Sequence, residues 1–384
     1  MGGFRVTDHD RAVRITGMSW TTALGDGLDE VWRHLRDGRA GIRPLPGDGP
    51  LPAPAAALLT DGAADGAPSG RQVRLAVTTA SAALRDAGCP AGDVDTLVLG
   101  SSLGPHLDDA AETPPHALTA AVARQLGVAR SVSVSTACSS GADAVLTGAA
   151  LLTRGEAERC LCGGIDLLTA GKLLGHQALG TLSASGTVRP FDTGRDGTLF
   201  GEGAGFLLLE TPAAAAARGA RVLGELAGWG ASNDGTGPTA PDETGAGAVL
   251  AVRRALARAG ARPADIAVVN AHGTGTRAND TAEAACYRTV FGTAPHPVVF
   301  ATKPALGHTL GATGALEAIA LLLALRHGSV PPVLNTRAVM PELTVPLAAG
   351  AGREVTGSLG ISLTLGFGGF NTCLVLSAPE GSTA

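Results

Sequence analysis

The sequence predicts an α/β protein: a sheet covered by helices and built from two comparable halves. Three observations predict it. Short apolar runs alternate with segments of helical period along most of the chain, the pattern of strands joined through packed helices. Glycine is abundant, 55 in 384 residues, and it punctuates the ends of those segments, where turns need positive φ or close backbone approach. A glycine-punctuated turn also leads from a short strand into a small-residue helix twice, in ACSSGADAVLTGAA from Ala137 and in GHTLGATGALEAIALL from Gly307. That recurrence points to an internal duplication, with halves spanning residues 1–211 and 212–384.

Taken in order, residues 12–18 (AVRITGM) read as a strand and 28–37 as a helix ending near Gly38. From 41 to 70, Pro, Gly and Ala crowd the chain without either period, which reads as a surface loop. Residues 71–87 have a helical pattern that stops at Gly88, and 94–99 (VDTLVL) form an apolar strand closed by Gly100. A helix at 117–126, a strand at 132–135, a helix after Cys138 and a strand at 159–163 continue the alternation. Elements of this length imply a mostly parallel sheet. Residues 211–218 read as a connector. The second set comprises a strand at 222–229, a helix at 246–259, a strand at 266–270, a helix from Asn279, a strand at 297–301 and a helix at 308–327.

Composition narrows the function. A net charge of −5 argues against nucleic acid, because phosphate binding needs concentrated positive charge. Charged residues break the N-terminal segment where a signal peptide would be apolar, and no run approaches the ~18 apolar residues of a membrane span, so a cytoplasmic protein is expected. The six cysteines lack the paired spacing of a zinc site, and a chain of this size has no need of disulfides. Of 29 Lys and Arg residues only two are lysines, Lys172 and Lys303; a lysine kept in so arginine-rich a chain suggests a need for a compact ammonium.

The residues that can carry chemistry fall in four segments. Cys138 lies in VSVSTACSSGADAV, where a β-branched run turns into a small-residue helix. A helix N-terminus there favours thiolate, so a lowered thiol pKa and an oxyanion-binding backbone N–H are expected. His272 follows an apolar strand in VVNAHGTGTRAND, suited to acid–base or hydrogen-bond work, though taken alone a hydrogen-bonded core histidine explains it equally well. His308 stands at the mouth of a small-residue helix in ATKPALGHTLGATGALE, with Lys303 ahead of it and Glu317 behind. Finally, Gly366, Phe367, Gly368 and Gly369 precede the last apolar strand, and glycines on both sides of one aromatic let that ring act as a gate. GEGAG at 201–205 lacks the spacing of a dinucleotide fingerprint and does not open a helix.

TACSSG, NAHGTGT, TKPALGH and GFGG in this order, with RPFDTGRDGTLFGEGAG at 189–205, resemble the elongating β-ketoacyl synthases of the thiolase fold over nearly the whole chain. The resemblance implies two similar βαβαβαββ halves in a layered α-β-α-β-α architecture with the active site between them. It implies Cys138 as the nucleophile that takes an acyl chain from acyl carrier protein. His272 and His308 would promote decarboxylation of a malonyl-type extender, and Lys303 and Glu317 would form the charged pair supporting them. The N–H groups of Cys138 and Phe367 would make the oxyanion hole, and Thr274 and Thr276 would bond the phosphopantetheine arm. No cofactor or metal is implied, and the expected assembly is a homodimer or a heterodimer with a chain-length-factor-like subunit. A non-catalytic chain-length-factor role is the alternative reading. A thiolase-like reaction without decarboxylation is disfavoured, since relatives using Cys-His-Asn would carry Asn at position 308. The sequence departs from the family pattern in short stretches at 41–70 and 104–115, in Leu363-Thr364-Leu365 and in Phe370.

Overall fold

The computed structural model describes residues 13–45, 53–60, 68–103, 114, 116–292 and 297–379. Much of the expected loop over 41–70 and nearly all of the short stretch at 104–115 lie outside them. The first half comprises β1 (Val13–Thr22), α1 (Leu28–Arg36), β2 (Arg43–Pro44), β3 (Ala55–Ala56), α2 (Pro68–Ala87), β4 (Thr96–Gly100), α3 (Ala117–Leu126) and β5 (Arg130–Val134). It continues through α4 (Ser140–Thr153), β6 (Arg159–Asp166), α5 (Ala170–Ala178) and β7 (Gly203–Glu210). After α6 (Pro212–Ala217), the second half contains β8 (Gly224–Asn233), α7 (Ala246–Ala259), β9 (Ile266–Asn270), α8 (Arg277–Phe291), β10 (Val298–Phe300) and α9 (Lys303–Leu306). It closes with α10 (Thr313–His327), β11 (Ser329–Val330), β12 (Arg353–Glu354), β13 (Leu359–Gly366) and β14 (Phe370–Ser377).

Ten strands form one sheet in the order β10-β9-β13-β14-β8-β1-β7-β6-β4-β5. Read outward from its centre, β1, β7, β6, β4 and β5 mirror β8, β14, β13, β9 and β10. Each half therefore runs βαβαβαββ, through α2, α3 and α4 in the first and α7, α8 and α10 in the second. The expected mostly parallel sheet is corrected to a mixed one. β4 pairs parallel with β5 and β6, and β9 with β10 and β13. The pairs β1–β7, β6–β7, β13–β14, β8–β14 and β1–β8 are antiparallel. The reason is that the last strand of each half returns without the helical crossover that parallel neighbours need.

Helices α2 and α3 cover the outer face of the first half and α7 and α8 that of the second, while α4 and α10 pack against each other between them. A helix so placed has no solvent side, and every residue of α10 from Thr313 to Leu325 is buried. Residues 310–327 are in fact long and apolar enough to cross a membrane, contrary to the sequence expectation, but 89% of that window is buried inside the fold. The α4–α10 crossing depends on glycine. A Cβ on Gly141 would lie 2.8 Å from the Gly311 carbonyl oxygen, and one on Gly314 would lie 2.5 Å from the Ala142 Cβ. This contact brings the head of α4, with Cys138, against the head of α10, which follows His308.

Candidate active site

Cys138 sits in a tight turn at the entrance of α4. Ala137 adopts φ 52°, a left-handed conformation costing a non-glycine residue about 1–3 kcal/mol. The hydroxyls of the TACSSGAD segment hold it there. Ser140 Oγ donates to the Ala137 carbonyl at 2.6 Å and accepts from the Thr136 N–H at 2.9 Å. Asp143 collects three more hydroxyls: Thr136 at 2.6 Å, Ser139 at 2.8 Å and, from β14, Thr372 at 2.6 Å. The polar residues of this motif thus fix the backbone that presents the sulfur. The corresponding turn before α10 repeats the device, with Leu310 at φ 50°.

The second turn orients His308. The Leu310 N–H donates to His308 Nδ1 at 3.3 Å, and Thr313 Oγ1 lies 3.0 Å from the same nitrogen. An accepting Nδ1 puts the ring proton on Nε2, and Nε2 is 3.2 Å from Cys138 Sγ. His272 is set in the same tautomer by different means. The Lys303 ammonium, which can only donate, lies 3.1 Å from His272 Nδ1, bonds the His272 carbonyl and pairs with Glu317 at 2.6 Å. The two imidazoles stand at right angles, 5.2 Å between centroids. Lys303 therefore supports His272 directly and Glu317 does so through Lys303, whereas Thr313 and the Leu310 N–H support His308.

Burial governs the charges. It drives His272 and His308 well below the usual imidazole range, with the Lys303 charge acting in the same direction, so both rings are neutral at neutral pH. The Glu317 carboxyl is pushed up to about 7 by burial, against the opposing pull of Lys303. Cys138 corrects the expectation of a lowered thiol pKa. Burial pushes it up to about 11, outweighing the Lys303 charge and a hydrogen bond from the Phe367 N–H, both of which favour thiolate. With only 5% of the residue exposed, desolvation exceeds the helix-entrance effect, and the resting site holds a thiol beside two neutral imidazoles.

A cavity of about 350 Å³ joins these residues, lined by Cys138, His272, His308, Thr274, Thr276 and Phe367 among others. The hydroxyls of Thr274 and Thr276 are 2.8 Å apart. Gly366 ends β13, and Phe367, Gly368 and Gly369 form the turn into β14. Gly366 passes so close to the Cys138 turn that a Cβ there would lie 3.0 Å from the Thr136 carbonyl oxygen. Of the residues singled out from the sequence, Cys138, His272, His308, Thr274, Thr276, Gly366 and Phe367 line this cavity, Lys303 bonds His272 from behind and Glu317 pairs with Lys303, whereas Lys172 pairs with Asp166 instead. Sequence reasoning missed three others. Glu283 accepts the His272 and Gly273 N–H groups and the Tyr287 hydroxyl at 2.6–2.8 Å, fixing the His272 loop; its only signal was an acidic residue on an apolar helix. Asp143 and His176, the latter lining the cavity, carried no signal of their own.

Fold and site together define a class: a layered α/β enzyme in which a cysteine from one half meets two neutral histidines from the other. Comparison with known proteins gives the family. The β-ketoacyl synthase N-terminal domain matches residues 10–215 and the C-terminal domain matches residues 223–337. The chain belongs to the β-ketoacyl synthase family and is an acyltransferase-class condensing enzyme. It is 34% identical to 3-oxoacyl-[acyl-carrier-protein] synthase 2 of Mycobacterium tuberculosis over 94% of this chain and 96% of that one. Among solved structures it is similar to the ishigamide ketosynthase/chain length factor, with TM-score 0.88 and 32% identity over 97% of this chain and 100% of that one. The fold also matches a type II polyketide synthase ketosynthase solved with its acyl-carrier protein and bound to a hexaketide, with TM-score 0.87 and 24% identity over 96% of this chain and 100% of that one.

Proposed function

We propose that the chain catalyses decarboxylative condensation between an acyl group on Cys138 and a malonyl group on acyl carrier protein, in a type II polyketide or fatty acid pathway. The observation that carries this reading is the convergence of a thiol and two Nε2–H donors in one cavity. The Cys138 sulfur attacks the incoming acyl thioester, the bond to the carrier sulfur breaks, and the Cys138 proton ends on that sulfur, which leaves as the carrier thiol. The malonyl thioester then loses CO2, and the electron pair of the breaking bond moves onto its carbonyl oxygen. Nε2–H groups of His272 and His308 hold that enolate without protonating its carbon. The carbanion attacks the acyl-Cys138 carbonyl, whose oxygen is received by the N–H groups of Cys138 and Phe367, and the sulfur departs. Thr274 and Thr276 bond the phosphopantetheine arm, and Phe367 gates the acyl cavity.

The enzyme works in the cytoplasm, takes its substrates from acyl carrier protein and uses no cofactor or metal. It acts as a dimer with a second copy or with a chain-length-factor-like subunit. The exposed edge strand β5, paired only with β4 among the described residues, supports a dimer, because such an edge readily pairs with another chain. The test supplies acyl- and malonyl-carrier protein and measures CO2 and β-ketoacyl product by mass spectrometry. CO2 and a product lengthened by two carbons are expected; transfer of the intact malonyl group would refute decarboxylation.

A further inference from the structure

His176 lies on α5, outside every motif discussed above, yet it forms part of the cavity wall. Its ring is 4.3 Å from that of Phe200 and 5.4 Å from that of Phe367, and Phe200 stacks in turn on His308 at 5.6 Å. Two ring contacts thus connect His176 to the imidazole that touches the nucleophile. Its protonation pattern follows from one neighbour. The Thr181 hydroxyl gives its single proton to the His176 carbonyl at 3.0 Å, so the contact between that hydroxyl and His176 Nδ1, at 3.3 Å, makes Nδ1–H the donor. The lone pair on Nε2 is left over, and that nitrogen has no hydrogen-bond partner among the described residues. Burial and the nearby Lys172 charge hold the ring far below its usual pKa, at about 4, so it stays an uncharged acceptor.

A fully reduced acyl chain offers nothing to such an acceptor, and two aromatic rings already provide apolar wall. We propose that His176 is a specificity-determining residue whose Nε2 accepts a hydrogen bond from a hydroxyl on the acyl chain carried by Cys138. The substrate class is then a hydroxylated acyl group in preference to a saturated one. This inference rests on the ketosynthase reading and names the acyl group that the same site takes.

The experiment offers the intact enzyme an octanoyl N-acetylcysteamine thioester and its monohydroxylated derivatives, and reads mass gain on Cys138 over time. Wild type is expected to prefer at least one hydroxylated chain by about tenfold, the usual scale for gaining or losing one hydrogen bond to a group in a binding site. The ratio of hydroxylated to saturated rates should fall toward unity in His176→Phe and be largely retained in His176→Gln, whose amide oxygen is also an acceptor. Because each ratio is internal to one protein, it cancels changes in folded fraction. No hydroxyl preference in wild type, or an unchanged ratio in His176→Phe, would overturn the proposal while leaving the ketosynthase reading intact. No acylation by any thioester would overturn that reading and the proposal with it.

Discussion

Replacing Lys303 by methionine isolates the group that fixes the His272 tautomer. The side chain is 1% exposed, and its ammonium serves His272 Nδ1, the His272 carbonyl and Glu317 together. Removing one partner of a buried ion pair ordinarily costs about 3–5 kcal/mol, because the other charge is stranded. Here Glu317, already pushed up to about 7, takes a proton near neutral pH. The folding cost should therefore stay near ~2 kcal/mol, the scale of the lost hydrogen bonds. The catalytic cost is separate. Without the ammonium, His272 loses a charge-assisted hydrogen bond behind the ring proposed to hold the enolate, worth about 2–3 kcal/mol, or roughly 30- to 200-fold in rate. CO2 release from a malonyl thioester should fall by that factor, with circular dichroism and urea unfolding reporting a folded protein. Lys303→Arg should not restore the rate, since a planar guanidinium does not fit this enclosed site. A folded Lys303→Met enzyme that decarboxylates within threefold of wild type would refute the reasoning.

Other consequences follow from the same contacts. Asp143→Ala removes the acceptor of three hydroxyls around the nucleophile turn; urea unfolding should show a loss of about 2–4 kcal/mol, and iodoacetamide labelling of Cys138 should change rate as the turn relaxes. Gly314→Ala forces a methyl against Ala142 across the central helix pair, so a loss of about 1–3 kcal/mol or more is expected by the same method. The Glu317 carboxyl has a folded pKa raised above its unfolded value, so its contribution to stability is complete below about pH 4 and is lost as pH rises through about 7. Glu317→Gln should therefore gain stability relative to wild type between about pH 5 and about pH 8, read as the difference in melting temperature.

Several elements were legible because small-residue helices are announced by their own turns, and the boundaries of α3, α7 and β9 read from the sequence coincide with the structure. Strand β7 escaped because its opening residues, GAG, look like loop and because an antiparallel return leaves no flanking helix to mark it. Residues 211–218, read as a connector, contain the short helix α6, started by Pro212 behind the Thr211 cap. Within the site, residue types and spacing marked Cys138 and both histidines. The thiol's raised pKa was not legible, since it depends on how completely the fold excludes water from one sulfur. Glu283 and His176 were equally hidden, because each acts through neighbours that only tertiary structure supplies.

The account depends most directly on which atom holds the growing chain. Incubating the enzyme with acyl carrier protein bearing a labelled acyl group, followed by proteolysis and tandem mass spectrometry, locates it. The label should appear on the peptide containing Cys138, and both label and β-ketoacyl product should vanish in Cys138→Ala. A label on another residue, or β-ketoacyl product at an undiminished rate from Cys138→Ala, would contradict the account.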